Sequence, residues 1–175
     1  MIFINGIQRS GTNFADKIHK NTIQYCYPYW KHDPKLEGID PDSPKVFCVI
    51  KNPYTWVESV CFRNPVDIVK WFPSHYLHDL NDHCGPHKIN LKRLCTVYKL
   101  FYISWLNYSK TKLIHYEDLL KKHQSVTDVP HTDWNSDRIR TYLNYEIYHL
   151  NRTHLDVINN TLDNDFFKRI GYPMK

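Results

Sequence analysis

The first stretch of the chain constrains its fold more than any other. Residues 2–5 are largely apolar, and Gly6 and Gly11 bound the polar loop that follows. Phe14 and Ile18 then recur at helical spacing. The pattern predicts a strand, a glycine-bounded loop and a helix. In that arrangement backbone N–H groups and the amino end of a helix converge, which favours an anionic ligand such as a phosphate.

The loop matches only part of the nucleotide-binding pattern G-x-x-x-x-G-K-[ST]. Its glycines fit, but Thr12 occupies the position of the lysine and Asn13 the position of the magnesium-binding hydroxyl. Arg9, a nearby cation, lies inside the loop instead. The same glycine spacing also arises by chance. If the loop is functional, we expect it to bind a phosphate donor other than a magnesium triphosphate.

The composition indicates one globular domain that favours anionic ligands. The chain has 175 residues, of which 42% are hydrophobic and 15% aromatic, and this excludes a disordered protein. The net charge is +5 besides eleven histidines, but the positive residues are scattered rather than gathered into a nucleic-acid-binding arm. We therefore expect core elements over residues 1–118, a helical part over 135–175, and no nucleic-acid partner.

The five cysteines and the absence of long apolar runs bear on the cellular compartment of the protein. No CxxC motif is present, and most of the cysteines stand in apolar contexts, so we expect reduced core thiols. No signal peptide precedes the first strand and no apolar run approaches membrane-spanning length. The sequence thus predicts a cytoplasmic protein without membrane insertion.

Further along the chain, strands alternate with helices. Residues 45–51 form a continuous apolar run typical of a buried strand in a parallel sheet, and residues 112–116 predict another strand. Pro53 suits the first turn of a helix. Further helices are expected over residues 90–109 and 137–149, with one or two more up to Ile170, whereas residues 73–88 read as a loop. The sequence predicts an α/β fold with a mainly parallel central sheet flanked by helices.

Several polar residues follow the predicted strands at their carboxyl ends. They include the first loop, Lys31-His32, Lys51 and Tyr116-Glu117. In parallel α/β sheets ligands bind beyond the carboxyl ends of the strands. We therefore expect these residues to contribute to one site.

Together these places resemble the sulfotransferases that use 3′-phosphoadenosine 5′-phosphosulfate, a family with a P-loop-like architecture. The loop Arg9-Ser10-Gly11-Thr12-Asn13-Phe14 resembles that family's 5′-phosphosulfate loop. The resemblance implies that this loop binds the donor. It further implies that Arg9 contacts the transferring group and that Phe14 lies near the adenine.

Three other positions carry the rest of the resemblance. Lys51, Pro53 and Ser59 resemble the family's 3′-phosphate element, with lysine in place of arginine. Tyr116 resembles the strand-end tyrosine that lies by the adenine. Lys31-His32 stands, in chain order, where the family has its catalytic histidine. The resemblance implies His32 as the general base, with Lys31 as the alternative residue that faces the donor.

What the resemblance implies is a sulfuryl transfer to a hydroxyl or amine acceptor. Such a transfer needs charge neutralisation and a base, but no metal. Histidine suits the base because its unperturbed pKa lies near neutrality. The Arg-Lys-Gly triplet that completes the 3′-phosphate site in many members is absent. The acceptor and the oligomeric state are left open by the sequence.

Two other classes of function remain open. In a P-loop kinase or NTPase, the acids Glu117 and Asp118 after an apolar strand would hold magnesium through water; Thr12 and Asn13 oppose this reading. In a non-catalytic module, a sulfotransferase-like domain would bind a nucleotide without turnover. The histidines and cysteine of residues 75–87 have ligand types for zinc, but their spacing matches no standard site, so we expect no metal.

Overall fold

A computed structural model describes residues 2–7, 10–12, 15, 45–63, 83–122 and 147–175. Some of the candidate site residues therefore lie outside the described residues, namely Arg9, Asn13, Phe14, Lys31 and His32. The elements follow one another as β1 (Ile2–Asn5), β2 (Lys45–Ile50), α1 (Pro53–Glu58), a π-helical turn (Ser59–Arg63), β3 (His83–Cys84), β4 (Ile89–Asn90), α2 (Leu91–Leu106), β5 (Thr111–His115), α3 (Tyr116–Lys122), α4 (Arg152–Leu162) and α5 (Asn164–Ile170).

The described residues form two compact units, each built from two segments of the chain. The first, here called the sheet unit, comprises Met1–Lys51 and Phe101–Glu146. The second, the helical unit, comprises Asn52–Leu100 and Ile147–Lys175. Within the described residues, no helix is long and apolar enough to cross a membrane.

The sheet unit is built on a small open parallel sheet in the order β1-β2-β5. Ile2 of β1 pairs with Lys45 of β2, and Val46 of β2 pairs with Thr111 of β5. The predicted α/β class, with a parallel sheet flanked by helices, is confirmed. β2 is central because its continuous apolar run tolerates neighbours on both edges and burial of both faces.

Both faces of the central strand are covered. Successive side chains of a strand point to opposite faces, so Cys48 and Val49 lie on different sides of the sheet. Val49 packs with Ala15 and Leu120, together with Ile4, Tyr116 and Leu119. On the other side Cys48 is fully buried near Tyr102. Burial of each such aliphatic side chain stabilises the fold by roughly 1.5–3 kcal/mol.

Aromatic stacking and helix caps hold the helical unit together. The ring of Trp56 in α1 lies 4.8 Å from that of Tyr98 in α2, and Tyr54 stacks on Phe167 of α5 at 5.5 Å between centroids. Asn52 caps α1, because its side-chain oxygen accepts the N–H of Tyr54 at 3.0 Å. As predicted, a proline occupies the first turn of this helix.

The structure corrects several boundaries that the sequence pattern predicted. α2 ends at Leu106 rather than Ser109, and β5 covers Thr111–His115 rather than residues 112–116. α2 begins at Leu91 rather than Asn90, because the Asn90 side chain caps the helix by accepting the N–H of Arg93. The predicted loop over residues 73–88 ends in the antiparallel pair β3–β4. His149 is not helical, because its backbone N–H is bound by a glutamate side chain instead of a helix carbonyl.

Candidate functional site

Three strand ends of the sheet unit meet at one edge. Because β1, β2 and β5 run parallel, their carboxyl ends lie on the same side of the sheet. The residues that follow them are the loop from Gly6, then Lys51, and then Tyr116. This is the edge at which ligands bind in parallel α/β sheets.

The loop after β1 is held by two backbone hydrogen bonds. The N–H of Ser10 donates to the carbonyl of Ile7 at 3.1 Å, which closes a tight turn. The N–H of Ala15 donates to the carbonyl of Gly11 at 3.0 Å, which is the spacing of an α-helical turn. The loop thus leads directly into a helical turn, as the sequence predicts.

Gly11 cannot be replaced without moving the ring of Tyr116. Its φ angle is +94°, a conformation that side chains other than glycine rarely adopt. A Cβ atom at residue 11 would lie 2.1 Å from Cδ2 of Tyr116. The aromatic ring at the end of β5 therefore lies directly against the backbone of the loop that follows β1.

Lys51 completes this contact from the central strand. Its side chain is buried, with 2% of its surface exposed, and its Nζ atom lies 5.8 Å from the centre of the Tyr116 ring. A cation at this distance is attracted by the face of the ring. An anionic group that reached Lys51 would meet the charge in a low-dielectric environment, where the attraction is stronger than in water.

Further polar side chains are buried in the same parts of the sheet unit. Asn5 ends β1, and Glu117 lies in the first turn of α3. Ser10 and Thr12 of the loop are buried as well. Ligand sites carry a small number of placed polar groups, and these polar side chains lie on the elements that form this edge.

The hydroxyl of Tyr102 supports this edge from α2. It donates to the carbonyl of Val49 at 2.8 Å. Burial raises the pKa of Tyr102 well above its ordinary value. The tyrosine is therefore neutral at physiological pH, and its hydroxyl joins α2 to the backbone of the central strand.

The structure brings together the part of the predicted site that it describes in the sheet unit: Ser10, Gly11, Thr12, Lys51 and Tyr116. Ser59 belongs to the helical unit, where its hydroxyl donates to the carbonyl of Thr55 at 2.9 Å. The remaining predicted residues, Arg9, Asn13, Phe14, Lys31 and His32, lie outside the described residues.

Sequence reasoning missed two residues of this region, Asn5 and Tyr102. A polar residue at the last position of an apolar strand is a signal that could have found Asn5. Tyr102 stands in the apolar stripe of α2, which we expected to be core. A buried tyrosine hydroxyl needs a hydrogen-bond partner, and that need was the available signal.

In the part of the chain that the structure describes, no three His, Cys, Asp or Glu side chains are placed to hold a metal ion. No family model matches the chain, and neither a curated protein nor a solved structure shows significant similarity to it.

Proposed function

We propose that the protein is a sulfotransferase that moves a sulfuryl group from 3′-phosphoadenosine 5′-phosphosulfate to a hydroxyl or amine. The observation that carries the proposal is the contact of Gly11, Tyr116 and Lys51 at one edge of the sheet. These residues come from three separate elements of the resemblance, far apart in the chain. Their meeting in one place supports treating the elements as one donor site.

Each group has a role in this proposal. The loop from Ser10 to Phe14 binds the 5′-phosphosulfate, and Arg9 stabilises the charge that develops on the bridging oxygen. Tyr116 lies by the adenine, and Lys51 neutralises the 3′-phosphate. The resemblance also assigns Ser59 to the 3′-phosphate, although in this structure its hydroxyl donates to the carbonyl of Thr55. His32 accepts the proton of the acceptor, with Lys31 beside it in sequence.

No metal ion is needed for this transfer, which fits the loop. Thr12 is buried at the position where nucleotide-binding loops carry a lysine. The competing proposal, a P-loop kinase or NTPase, draws support from the buried carboxylate of Glu117, which could hold magnesium through water. A non-catalytic nucleotide-binding module is the third possibility.

Thermal shift with three ligands separates these proposals. We expect 3′,5′-phosphoadenosine to raise the melting temperature more than AMP, and magnesium ATP to have the smallest effect. At one hundred times its dissociation constant a ligand stabilises a protein by about 2.7 kcal/mol, a readily measured change. A larger shift with magnesium ATP, abolished by a chelator, would instead favour the kinase.

Turnover distinguishes the enzyme from the binding module. Release of 3′,5′-phosphoadenosine from the phosphosulfate donor should accelerate with one class among alcohols, phenols and amines. Arg9→Ala should lower that rate by roughly 10²–10³-fold, the scale of losing one preorganised donor. His32→Ala should lower it by ~10²–10⁴-fold with little change in donor affinity. Saturable binding without release in any acceptor class would mean a non-catalytic module.

A further inference from the structure

The helical unit contains a buried carboxylate that binds an exposed imidazole. Glu58 is the last residue of α1, and its side chain is 3% exposed. The Nδ1 atom of His149 lies 2.8 Å from Oε1 of Glu58, while the histidine side chain is 51% exposed. One member of the pair is thus fixed inside the unit and the other reaches solvent.

Backbone contacts determine which atom carries the proton. Oε1 of Glu58 also accepts the N–H of Tyr148 at 2.7 Å and the N–H of His149 at 2.8 Å. An oxygen that receives these two N–H groups acts as an acceptor, so the contact with Nδ1 requires Nδ1 to donate. In the neutral imidazole the lone pair then resides on Nε2.

The ring is also held against rotation. Phe62 in the π-helical turn stacks on the imidazole with 4.8 Å between ring centroids and an angle of 21° between the planes. Residue 149 is therefore fixed through its backbone N–H, its Nδ1 atom and one face of its ring. Among the described residues no hydrogen bond to Nε2 is present, so this atom is the part of the ring left for a ligand.

We propose that Glu58 and His149 form a positioned base, in which Nε2 of His149 takes a proton from a hydroxyl or amine group of a ligand. A carboxylate that holds the far nitrogen of a histidine fixes its tautomer and the orientation of its ring. Glu58, Phe62 and His149 all belong to the helical unit, and this proposal does not rest on the proposed sulfuryl transfer.

His154 is a matched control within the same unit. Its Nδ1 atom accepts the backbone N–H of Asn151 at 3.3 Å in the cap of α4, so its proton resides on Nε2. Burial also lowers its pKa below the ordinary value. The two histidines therefore have opposite tautomers, with the proton on Nδ1 of His149 and on Nε2 of His154. One experiment reports on both.

The first test is the tautomer in the unmodified full-length chain. Nitrogen-15 spectra of the imidazoles at a pH where both are neutral should show the proton on Nδ1 of His149 and on Nε2 of His154. The assignment uses His149→Asn and His154→Asn. A proton on Nε2 of His149 would overturn the proposal.

The second test measures the reactivity of the lone pair with diethyl pyrocarbonate. Nε2 attacks a carbonyl carbon, the anhydride C–O bond breaks, ethyl carbonate departs with the electron pair, and the Nδ1 proton passes to solvent. Peptide mass spectrometry gives the rate at each histidine. We expect His149 to react about tenfold faster than His154, and Glu58→Gln to lower its rate roughly tenfold without changing that of His154.

The variant His149→Asn tests whether the imidazole is needed for stability or only for reactivity. The side-chain N–H of His149→Asn occupies the place of Nδ1 and keeps the contact with Glu58, so the melting temperature should stay within a few degrees of the unmodified protein. If Glu58→Gln unfolds, the tautomer and the relative rates at His149 and His154 still decide the matter. An unchanged rate at His149 in folded Glu58→Gln, or equal rates at the two histidines, would overturn the proposal. None of these measurements uses a nucleotide, so their failure is distinct from failure of the proposed sulfuryl transfer.

Discussion

The two units bury polar side chains for different purposes. In the helical unit such groups bind backbone N–H groups: Asn52 and Asn90 cap helices, and Glu58 receives two backbone N–H groups besides its contact with His149. In the sheet unit they follow the ends of strands, with Lys51 and Glu117 buried among them. The proposed donor site uses the second group, because ligands bind at the carboxyl ends of the strands in parallel α/β sheets.

Two glycines, Gly11 of the sheet unit and Gly85 of the helical unit, allow the contrast between the units to be tested. Gly11 has φ of +94° and Gly85 has φ of +74°. A Cβ atom would lie 2.1 Å from the Tyr116 ring at the first position and 2.1 Å from the carbonyl oxygen of Cys61 at the second. Both positions require glycine for the same steric reasons, but only the first belongs to the candidate site.

The largest effect is expected for Gly11→Ala. Strained backbone and overpacking against Tyr116 should together destabilise the protein by roughly 2–5 kcal/mol and abolish binding of 3′,5′-phosphoadenosine. Denaturant titration and calorimetry measure the two effects. Gly85→Ala is the control: we expect a similar loss of stability, with nucleotide affinity unchanged in the folded fraction. Equal loss of affinity in both variants would show that the contrast between the units is wrong.

The next effect is expected for Lys51→Met, which keeps the apolar length and removes the charge. Loss of a charged hydrogen bond to the 3′-phosphate should weaken the binding of 3′,5′-phosphoadenosine by about 1.5–3 kcal/mol. AMP, which lacks that phosphate, should be little affected. Lys112→Met is the control, because this exposed lysine of β5 lies over the Phe47 ring, 5.9 Å from its centre. Equal losses for the two nucleotides would mean that Lys51 does not read the 3′-phosphate.

A smaller effect concerns the thiols of the helical unit. A hydrogen bond with Cys84 and burial raise the pKa of Cys61, and burial raises the pKa of Cys95. The folded pKa lies above the unfolded one, so each thiol's contribution is complete below pH ~8.5 and declines as the pH rises above it. The decline is about 1.4 kcal/mol per pH unit for each thiol.

Cys61→Ala should therefore flatten the alkaline decline in stability. The measurement is denaturant unfolding at pH 8 and pH 9.5 in a reducing buffer, compared with the unmodified protein. The variant loses stability at both pH values, but the difference between them should shrink by about 1–2 kcal/mol. An unchanged difference would mean that the Cys61 thiol ionises equally easily in the folded state.

The smallest effect is expected for Asp163→Asn. Hydrogen bonding to Lys99, and then to the N–H of Phe166, lowers the pKa of Asp163. Its contribution is present above the unfolded pKa near 4 and is lost as the pH falls through the folded pKa. Asparagine keeps the helix cap on Phe166, so the variant should lose under about 1 kcal/mol at pH 7, as for exposed ion pairs.

The Asp163→Asn difference should be smaller at pH 3 than at pH 7, because the contribution of the charge declines as the pH falls below the unfolded pKa. Unfolding at the two pH values tests this, with Asp165→Asn as a control on the same helix. A loss of the same size at the lower pH would assign the effect to the cap and not to the charge.

The sheet and its edge were predictable because their signals are local. The apolar run of β2 identifies a central strand, and Gly11 at the end of a polar loop identifies a sharp turn into a helix. The parallel sheet, in the order β1-β2-β5, then brings Lys51 and Tyr116 to the same edge. Local pattern and chain direction were sufficient for this part of the site.

The other features depend on contacts that a local pattern does not contain. Glu58 and His149 are brought together only by folding, and each alone resembles an ordinary surface residue in the sequence. β3 and β4 are two residues long, too short for an alternating pattern to indicate a strand. Tyr102 stands in an apolar stripe, and its hydroxyl becomes informative only when its partner on β2 is known.

The parallel sheet also has a consequence for the speed and order of folding. Ile2 pairs with Lys45 and Val46 with Thr111, and each unit needs residues from an early and a late segment of the chain. Closing such long loops precedes any gain from strand pairing, and contacts of this kind slow folding. During synthesis, neither unit is complete before the later segments leave the ribosome. Until β5 is available, the edge of the apolar strand β2 that pairs with it stays unpaired. This interval is when the chain is most exposed to aggregation, and when a chaperone would have the greatest effect on its yield.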